Sequence, residues 1–372
     1  MRVVLEGLLR WPDVDGPGLV AVDAADRLIL DESAALRADA DAGSIVVIGD
    51  AYGALTLGAA HAGATDIRSH VDALNGERAL EANAHRTGLE GCYRALPLGP
   101  DLVSGARVVL MRLPRSLEGL RDIAGLVAAH ADPAVVVVAG GRLKHMSLSM
   151  NEVLSEFFGR LDVTHARQKS RVLLAREPHD GRDPEPAAAH VEGLEVRAFG
   201  GAFAGARLDI GTRLLLESLP SEPMGGTADD PLIDLACGTG IVAAWLATRH
   251  PHAHVYACDQ SAVAVASARA TMLANGIDHR VDVVRDDALA TRPSGSASLI
   301  ALNPPFHSGG AVTDLLAPRL FADAARVLRA GGQLWCVWNS ALRYRPLLEN
   351  AVGPTEQVAR NAKFTVTVST RR

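Results

Sequence analysis

The stretch "LIDLACGTGIVAAWLA", residues 232–247, decides the fold. A short apolar run ends in two glycines with one residue between them, and an alanine-rich helical segment follows. Gly238 and Gly240 let the backbone turn tightly and approach a ligand closely at the carboxyl end of a strand. Strand, glycine turn and helix form the opening unit of a parallel α/β sheet. The spacing Gly238-x-Gly240-x-x-Ala243 also satisfies the dinucleotide fingerprint, with Asp259 about twenty residues further on.

Outward from this stretch the pattern repeats. "HVYACD", "VDVVRD", "SLIALN", "QLWCVW" and "KFTVTVS" read as strands after it, separated by helix-like segments. Before it, "SIVVIGD", "RVVLMRL" and "AVVVVAG" read the same way. Between the two sets lies "REPHDGRDPEPAAAH", polar, Pro-rich and without apolar period. The expected organisation is a first domain over 1–178, a linker over 179–190 and a second domain over 191–372.

The halves also look like copies. "IVVIGDAYGALTLGAA" lies over the glycine-loop stretch, and "RVVLMRLPRSL" over "SLIALNPPFHS". In the first copy Val47 replaces Asp234, Ala51 replaces Gly238, and Arg112 stands where Asn303 does. That copy reads as degenerate.

A chain of 372 residues with 48% hydrophobic content has room for two cores. No apolar run reaches the ~18 residues of a membrane span. The start lacks the apolar stretch and cleavage site of a signal peptide. The four cysteines (Cys92, Cys237, Cys258, Cys336) have no metal-binding spacing. A cytoplasmic monomer with free thiols and no structural metal is expected. The net charge of −6 disfavours nucleic acid on average, yet the charge is uneven. Residues 142–176 hold seven Lys/Arg against three acids, and the closing "RNAKFTVTVSTRR" holds four basic residues and no acid. Arg142, Lys144, Arg167, Lys169 and Arg171 in the first patch, and Arg360, Lys363, Arg371 and Arg372 in the second, are the candidates for holding a polyanion. A solvated surface is the alternative for each patch.

Asp234 sits four residues before the first glycine. A carboxylate there is badly placed beside a pyrophosphate and well placed beside an ammonium. No Lys or Arg in the loop offsets phosphate charge. S-adenosylmethionine, which carries ribose, adenine, ammonium and sulfonium but no phosphate, meets those demands. Asp259 can take both ribose hydroxyls. Asp287 in "RDDALA", with Ala288 beside it, is either an acceptor for the adenine amino group or a turn acid.

"LIALNPPFHSGG", residues 299–310, completes the set. Two prolines end the strand, since neither can donate to a ladder. Asn303 then stands where the fourth strand opens on the crevice. An exocyclic amine is a poor nucleophile because its lone pair is delocalised. Acceptors at Asn303 and the neighbouring carbonyl, held rigid by Pro304, can turn that lone pair towards a methyl group, and Phe306 can stack on a flat base.

This arrangement resembles the class I S-adenosylmethionine-dependent methyltransferases that modify exocyclic or amide nitrogens. "FAGARLDIGTRLLLESLP", "NPPFHSGGAVTD", "ARVLRAGGQLW" and "ARNAKFTVTVSTRR" are similar to the bacterial ribosomal RNA guanine-N2 methyltransferases. "VVLMRLPRSL" and "VVAGGRLKHMSLSMNEVL" look more like the large-subunit (23S) type than the small-subunit (16S) type. The resemblance runs from about residue 24 to the end, strongest over 203–372. It implies an α/β protein of two tandem Rossmann-like class I methyltransferase domains, the first degenerate and given to holding ribosomal RNA. It carries Asp234, Ala236, Gly238, Gly240, Asp259, Asp287, Ala288 and Asn303 to S-adenosylmethionine, and Asn303, Pro304 and Phe306 to the target base.

Other readings remain beside it. A protein-glutamine methyltransferase also uses Asn-Pro-Pro with an aromatic, usually Tyr, but Phe306 and the basic tail favour a base. Nothing resembles the sequence-reading domain of a DNA adenine enzyme. An NAD-binding oxidoreductase needs a catalytic His, Lys or Tyr at the crevice and leaves Asn-Pro-Pro-Phe unexplained.

Overall fold

The computed structural model describes residues 2–305 and 310–372. The chain divides into two units, residues 1–185 with 199–201, and residues 186–198 with 202–372. In the first unit the strands are β1 (Ile45–Ile48), β2 (Ile67–His70), β3 (Tyr93–Ala95), β4 (Val108–Arg112), β5 (Val136–Arg142), β6 (Phe158–Val163) and β7 (Ser170–Pro178). They form one sheet in the order β3-β2-β1-β4-β5-β7-β6, with only β7 antiparallel to its neighbours. The central strands β1 and β4 are buried on both faces. That is why they read as unbroken apolar runs rather than alternating ones.

A hairpin opens the second unit, β8 (Ala187–Val191) and β9 (Leu194–Ala198). Its turn residues Glu192 and Gly193 are both left-handed, the twist that suits a tight hairpin. The far edge of β9 is covered by the helix Ala262–Ala274 and the residue after it. Glu195 and Arg197 N–H donate to Asn275 Oδ1 and Thr271 Oγ1, each at 3.0 Å. Then come β10 (Leu232–Leu235), β11 (Val255–Asp259), β12 (Val281–Arg285), β13 (Ala297–Leu302), β14 (Leu328–Asn339), β15 (Thr355–Arg360) and β16 (Phe364–Thr370). Their order, β12-β11-β10-β13-β14-β16-β15, is that of the first sheet strand for strand. Both units are Rossmann-like methyltransferase folds.

Register makes the duplication specific. Ile48 of β1 pairs with Met111 of β4, and Leu235 of β10 pairs with Leu302 of β13. Arg112 and Asn303 are the next residues in each case, so they occupy the same place.

The stretch 179–190, expected to be a linker, contains the change from one unit to the other, at 185/186, and both of its parts touch their own unit. Arg182 N–H donates to Gly125 O at 3.1 Å, and a Cβ on Gly181 would lie 2.1 Å from Ala129 N. His130 and Asp183 pair at 2.6 Å. Residues 181–183 thus lie along the helix Leu117–His130, and 187–190 belong to β8. Polarity without period marked the absence of a helix there, but backbone groups can still be satisfied by a neighbouring element.

Candidate functional site

In the second sheet the strand order reverses between β10 and β13, and their carboxyl ends flank the crevice where ligands bind in open α/β sheets. Four loops meet this edge. The first follows β10. Ala236, Gly238 and Gly240 are left-handed there, with φ of 59°, 55° and 77°. A side chain on Gly238 would meet nothing within 4 Å, so this glycine serves the backbone and whatever approaches it. Gly240 serves packing, because a Cβ would lie 2.7 Å from Met272 Cε. Left-handed alanines such as Ala236 and Ala288 (φ 55°) store about 1–3 kcal/mol each.

The acids have unequal environments. Asp234 is buried, and its Oδ2 accepts from Ala243 N–H at 2.9 Å, capping the third residue of the helix Ile241–Arg249. Burial, reinforced by the charge of Asp259, pushes its pKa up to about 7. Asp259 ends β11 and spans two loops: Oδ2 accepts from Gly238 N–H at 3.0 Å and Oδ1 from Ser261 N–H at 2.9 Å. A carboxylate has lone pairs left after two such bonds. Beside Asp287, its neighbour Asp286 holds the turn. Asp286 accepts from Asp287 N–H, Thr291 N–H and Thr291 Oγ1 at 2.8, 2.9 and 2.7 Å. Asp287, also buried, pairs with Arg319 of the helix Gly310–Val327.

Asn303 follows β13, with Pro304 buried behind it. Its Nδ2 donates to Thr212 Oγ1 at 2.9 Å and reaches Asp209 Oδ2 at 3.4 Å. Its Oδ1 is buried and has no hydrogen-bond partner among the described residues. A buried acceptor left open is costly unless something supplies a donor. Phe306, expected to stack on a base, lies outside the described residues. Asp209 is the N-cap of the helix Ile210–Ser218 and accepts from Gly211 and Thr212 N–H at 2.9 and 3.2 Å. The sequence reading did not single out Asp209 or Thr212. The signal was available, since "DIGTRLLLES" repeats "DAADRLILDE" of the first half residue for residue in pattern.

The first unit shows what the copy became. Asp23 caps the helix Ala24–Glu32 as Asp209 caps its own, and Asp26 stands at the position of Thr212. Arg112 donates to Asp23 Oδ1 at 2.7 Å and to Asp26 Oδ1 at 2.5 Å. A guanidinium tied to two carboxylates fills the place of the open amide. In the loop after β1, Tyr52 donates to Asp13 at 2.6 Å and lies under Arg10, 4.6 Å from the ring centre.

The basic candidates divide. Arg142 ends β5, Lys144 lies in the short turn after it, and Lys169 and Arg171 flank the start of β7 at Ser170, which pairs with Arg142. All four gather at the carboxyl edge of the first sheet. His145 titrates below its ordinary value there, through desolvation and then the charges of Arg115, Lys144, Arg142 and Arg112. Arg167 is set aside by Glu32 at 2.9 Å and Asp31 at 3.6 Å. In the second unit Lys363 matches Lys169: Ser340 N–H donates to Lys363 O as Leu143 N–H does to Lys169 O, each at 2.9 Å. Phe364 pairs with Asn339 at the crevice edge, whereas Thr370 pairs with Gln333. Arg371 and Arg372 therefore lie at the opposite edge of the sheet, about 26 Å or more along the strand from Lys363.

Residues 5–179 match the family model described as RLMG N-terminal domain, and 193–368 match Methyltransferase small domain. The chain is 35% identical to "Ribosomal RNA large subunit methyltransferase G" of Streptomyces avermitilis, over 96% of this chain and 95% of that one. It is 34% identical to the protein of the same name from Pseudomonas aeruginosa, over 96% of each. Among solved structures, a T. thermophilus 16S rRNA N2 methyltransferase (RsmC) in complex with AdoMet and guanosine superposes with a TM-score of 0.75. That likeness covers 96% of this chain and 97% of the other at 21% identity, and it speaks for the fold.

Proposed function

The chain belongs to the ribosomal RNA large subunit methyltransferase G family, and on that premise we propose that it transfers a methyl group from S-adenosylmethionine to the exocyclic N2 of a guanine in 23S rRNA. The observation that carries the reading is the buried Oδ1 of Asn303 at the end of β13, which has no hydrogen-bond partner among the described residues.

The residues fit the cofactor. Gly238 leaves backbone open to a ligand, and three acids without a loop cation suit a ribose and an ammonium better than a phosphate. Asp259 would hold the ribose hydroxyls, Asp234 and the Ala236–Gly240 loop the methionine end, and Asp287 with Ala288 the adenine. Once bound, S-adenosylmethionine supplies an electrophilic methyl on a positively charged sulfur.

Asn303 Oδ1 accepts one hydrogen of the guanine amino group, and the carbonyl beside Pro304 accepts the other. Holding both hydrogens turns the nitrogen towards tetrahedral geometry and frees its lone pair from the ring. The rigid Asn-Pro-Pro frame keeps these acceptors in place at little entropic cost. No strong base is required, because the surplus proton on the alkylated nitrogen is acidic enough to pass to water. Phe306 stacks on the flipped base. Arg142, Lys144, Lys169 and Arg171 of the first unit and Lys363 of the second hold the RNA backbone. The protein acts as a monomer in the cytoplasm. No helix among the described residues is long and apolar enough to cross a membrane.

Mass spectrometry of rRNA from a strain lacking this protein tests the reading. One N2-methylguanine should vanish from 23S rRNA and return with the wild-type chain. An unchanged 23S pattern, or a loss confined to 16S rRNA, would refute it.

A further inference from the structure

The side-chain amide of Asn303 has two faces, and only one of them helps an amine. If Oδ1 points at the substrate, it accepts a hydrogen. If Nδ2 points there, two donors confront two donors and the nucleophile is repelled. Something must decide between these faces, and neither proline of the motif can do so.

The decision lies two hydrogen bonds away. A hydroxyl has one proton to give. Thr212 Oγ1 gives it to Asp209 Oδ2. That leaves only lone pairs on Thr212 facing Asn303, so the partner presented to it must be a donor. Nδ2 therefore turns to Thr212 at 2.9 Å, with Asp209 Oδ2 behind it at 3.4 Å, and Oδ1 on the other side is left without a partner among the described residues. The carboxylate is held still by its own work at the helix start, where it accepts from Gly211 and Thr212 N–H. A ring supports this turn as well. A Cβ on Gly211 would lie 3.3 Å from Phe364.

The first unit is an internal comparison. Its matched positions, Asp23 and Asp26, also hold the residue after the fourth strand, but both are acids and the residue held is Arg112. The clamp is common to the two copies. Only the copy with a hydroxyl in it leaves an acceptor free.

We infer that Asp209 and Thr212 are positioning residues that set the Asn303 amide with Oδ1 outward, and that they thereby restrict the site to nucleophiles bearing hydrogen, such as an amino group. This rests on the proposed N2 methyl transfer.

The test uses the full chain, S-adenosylmethionine and 23S rRNA from cells lacking the enzyme. Thr212→Val removes the hydroxyl at nearly constant volume. Asp209→Asn keeps a good helix cap but offers no acceptor to the hydroxyl. Each variant should lower kcat about 10- to 100-fold while KM for RNA stays within about twofold. Affinity for S-adenosylhomocysteine, measured by calorimetry without RNA, should be unchanged. Thr212→Ser should restore kcat. Normal turnover in Thr212→Val overturns the inference. So does a Thr212→Ser variant as slow as Thr212→Val, which would show that packing matters and the hydroxyl does not. A loss of S-adenosylhomocysteine binding in step with kcat also overturns it, whether from misfolding or from a cofactor role. Asn303→Ala separates the two levels: if it is inactive while Thr212→Val is normal, the clamp fails and the methyl-transfer reading stands.

Discussion

Asp50 and Asp234 cap the same backbone group from different places in the chain. Asp234 ends its strand, and its Oδ2 accepts from Ala243 N–H at 2.9 Å. Asp50 stands in the following loop, and its Oδ2 accepts from Thr56 N–H at 2.8 Å. Thr56 and Ala243 are each the third residue of their helix. The strand position in the first copy is Val47, so the carboxylate moved by three residues while the helix kept its cap. It now occupies the glycine loop rather than the wall behind it.

In the first unit Asp50 stands in that loop, Tyr52 lies under Arg10 and Arg112 is tied to two acids, so its own side chains occupy the places a ligand would use. Calorimetry on the full chain should therefore give one S-adenosylmethionine per chain. A second site of comparable affinity would contradict the assignment of cofactor binding to the second unit.

Binding and chemistry should separate within the second unit. Asn303→Ala removes the acceptor for the amine, and methyl transfer should fall by about two to three orders of magnitude, far more than cofactor affinity, to which Asn303 is one of several contributors. Asp259→Ala breaks the link to Gly238 N–H and should weaken cofactor binding first. The check is to measure kcat and the S-adenosylhomocysteine dissociation constant side by side. Near-normal turnover in Asn303→Ala would reduce Asn-Pro-Pro to a strand-ending turn.

Asp234 makes stability depend on pH in a defined direction. Its folded pKa of about 7 lies above the ordinary 3.8, so the native chain keeps a proton that the unfolded chain loses. The stabilisation is complete below about pH 4 and is lost as pH rises through about 7, on the order of 4 kcal/mol in all. Asp234→Asn, neutral at every pH, should remove that downward slope from denaturant titrations of the second unit's transition. An unchanged slope would place the acid's ionisation elsewhere.

The four cations at the first sheet's carboxyl edge should account for much of the salt dependence of RNA binding. Replacing Arg142, Lys144, Lys169 and Arg171 by alanine together should flatten the slope of log K against log salt by about 3 and leave cofactor affinity alone. Replacing Arg371 and Arg372, at the far edge of the other sheet, should do neither. A quadruple variant that binds RNA normally across a salt series would make the patch ordinary solvated surface.

The central strands were legible because burial on both faces leaves an apolar run; β1, β4, β5 and β13 all announce themselves this way, and β10 does so apart from Asp234. The missed strands are mostly short or polar. β2 is "IRSH" and β3 "YRA", and only their neighbours make them strands. In β2 Arg68 is buried because its guanidinium finds three backbone carbonyls, Asp101, Ser104 and Gly43, a match no local pattern reveals. At the site, Asn303 and the acids were visible as residue types at expected strand ends. The clamp behind Asn303 was not, because Asp209 and Asn303 are far apart in sequence and meet only when the helix Ile210–Ser218 packs at the end of β13. The tail's charges lie near one another in the chain, yet β16 carries Lys363 and the Arg371–Arg372 pair to opposite ends of the sheet.

Ala236 and its counterpart Gly49 share a left-handed backbone, with φ of 59° and 77°. In the copy tied up by its own side chains the position is glycine, where a Cβ would lie 3.3 Å from Arg112 O. In the copy with an open loop it is alanine, whose methyl excludes most of the alternatives glycine could visit. The working loop therefore has fewer conformations open to it before anything arrives. Little ordering remains to be done on encounter, and the strain held at one methyl group shortens the distance, in conformational terms, between the empty and the filled site.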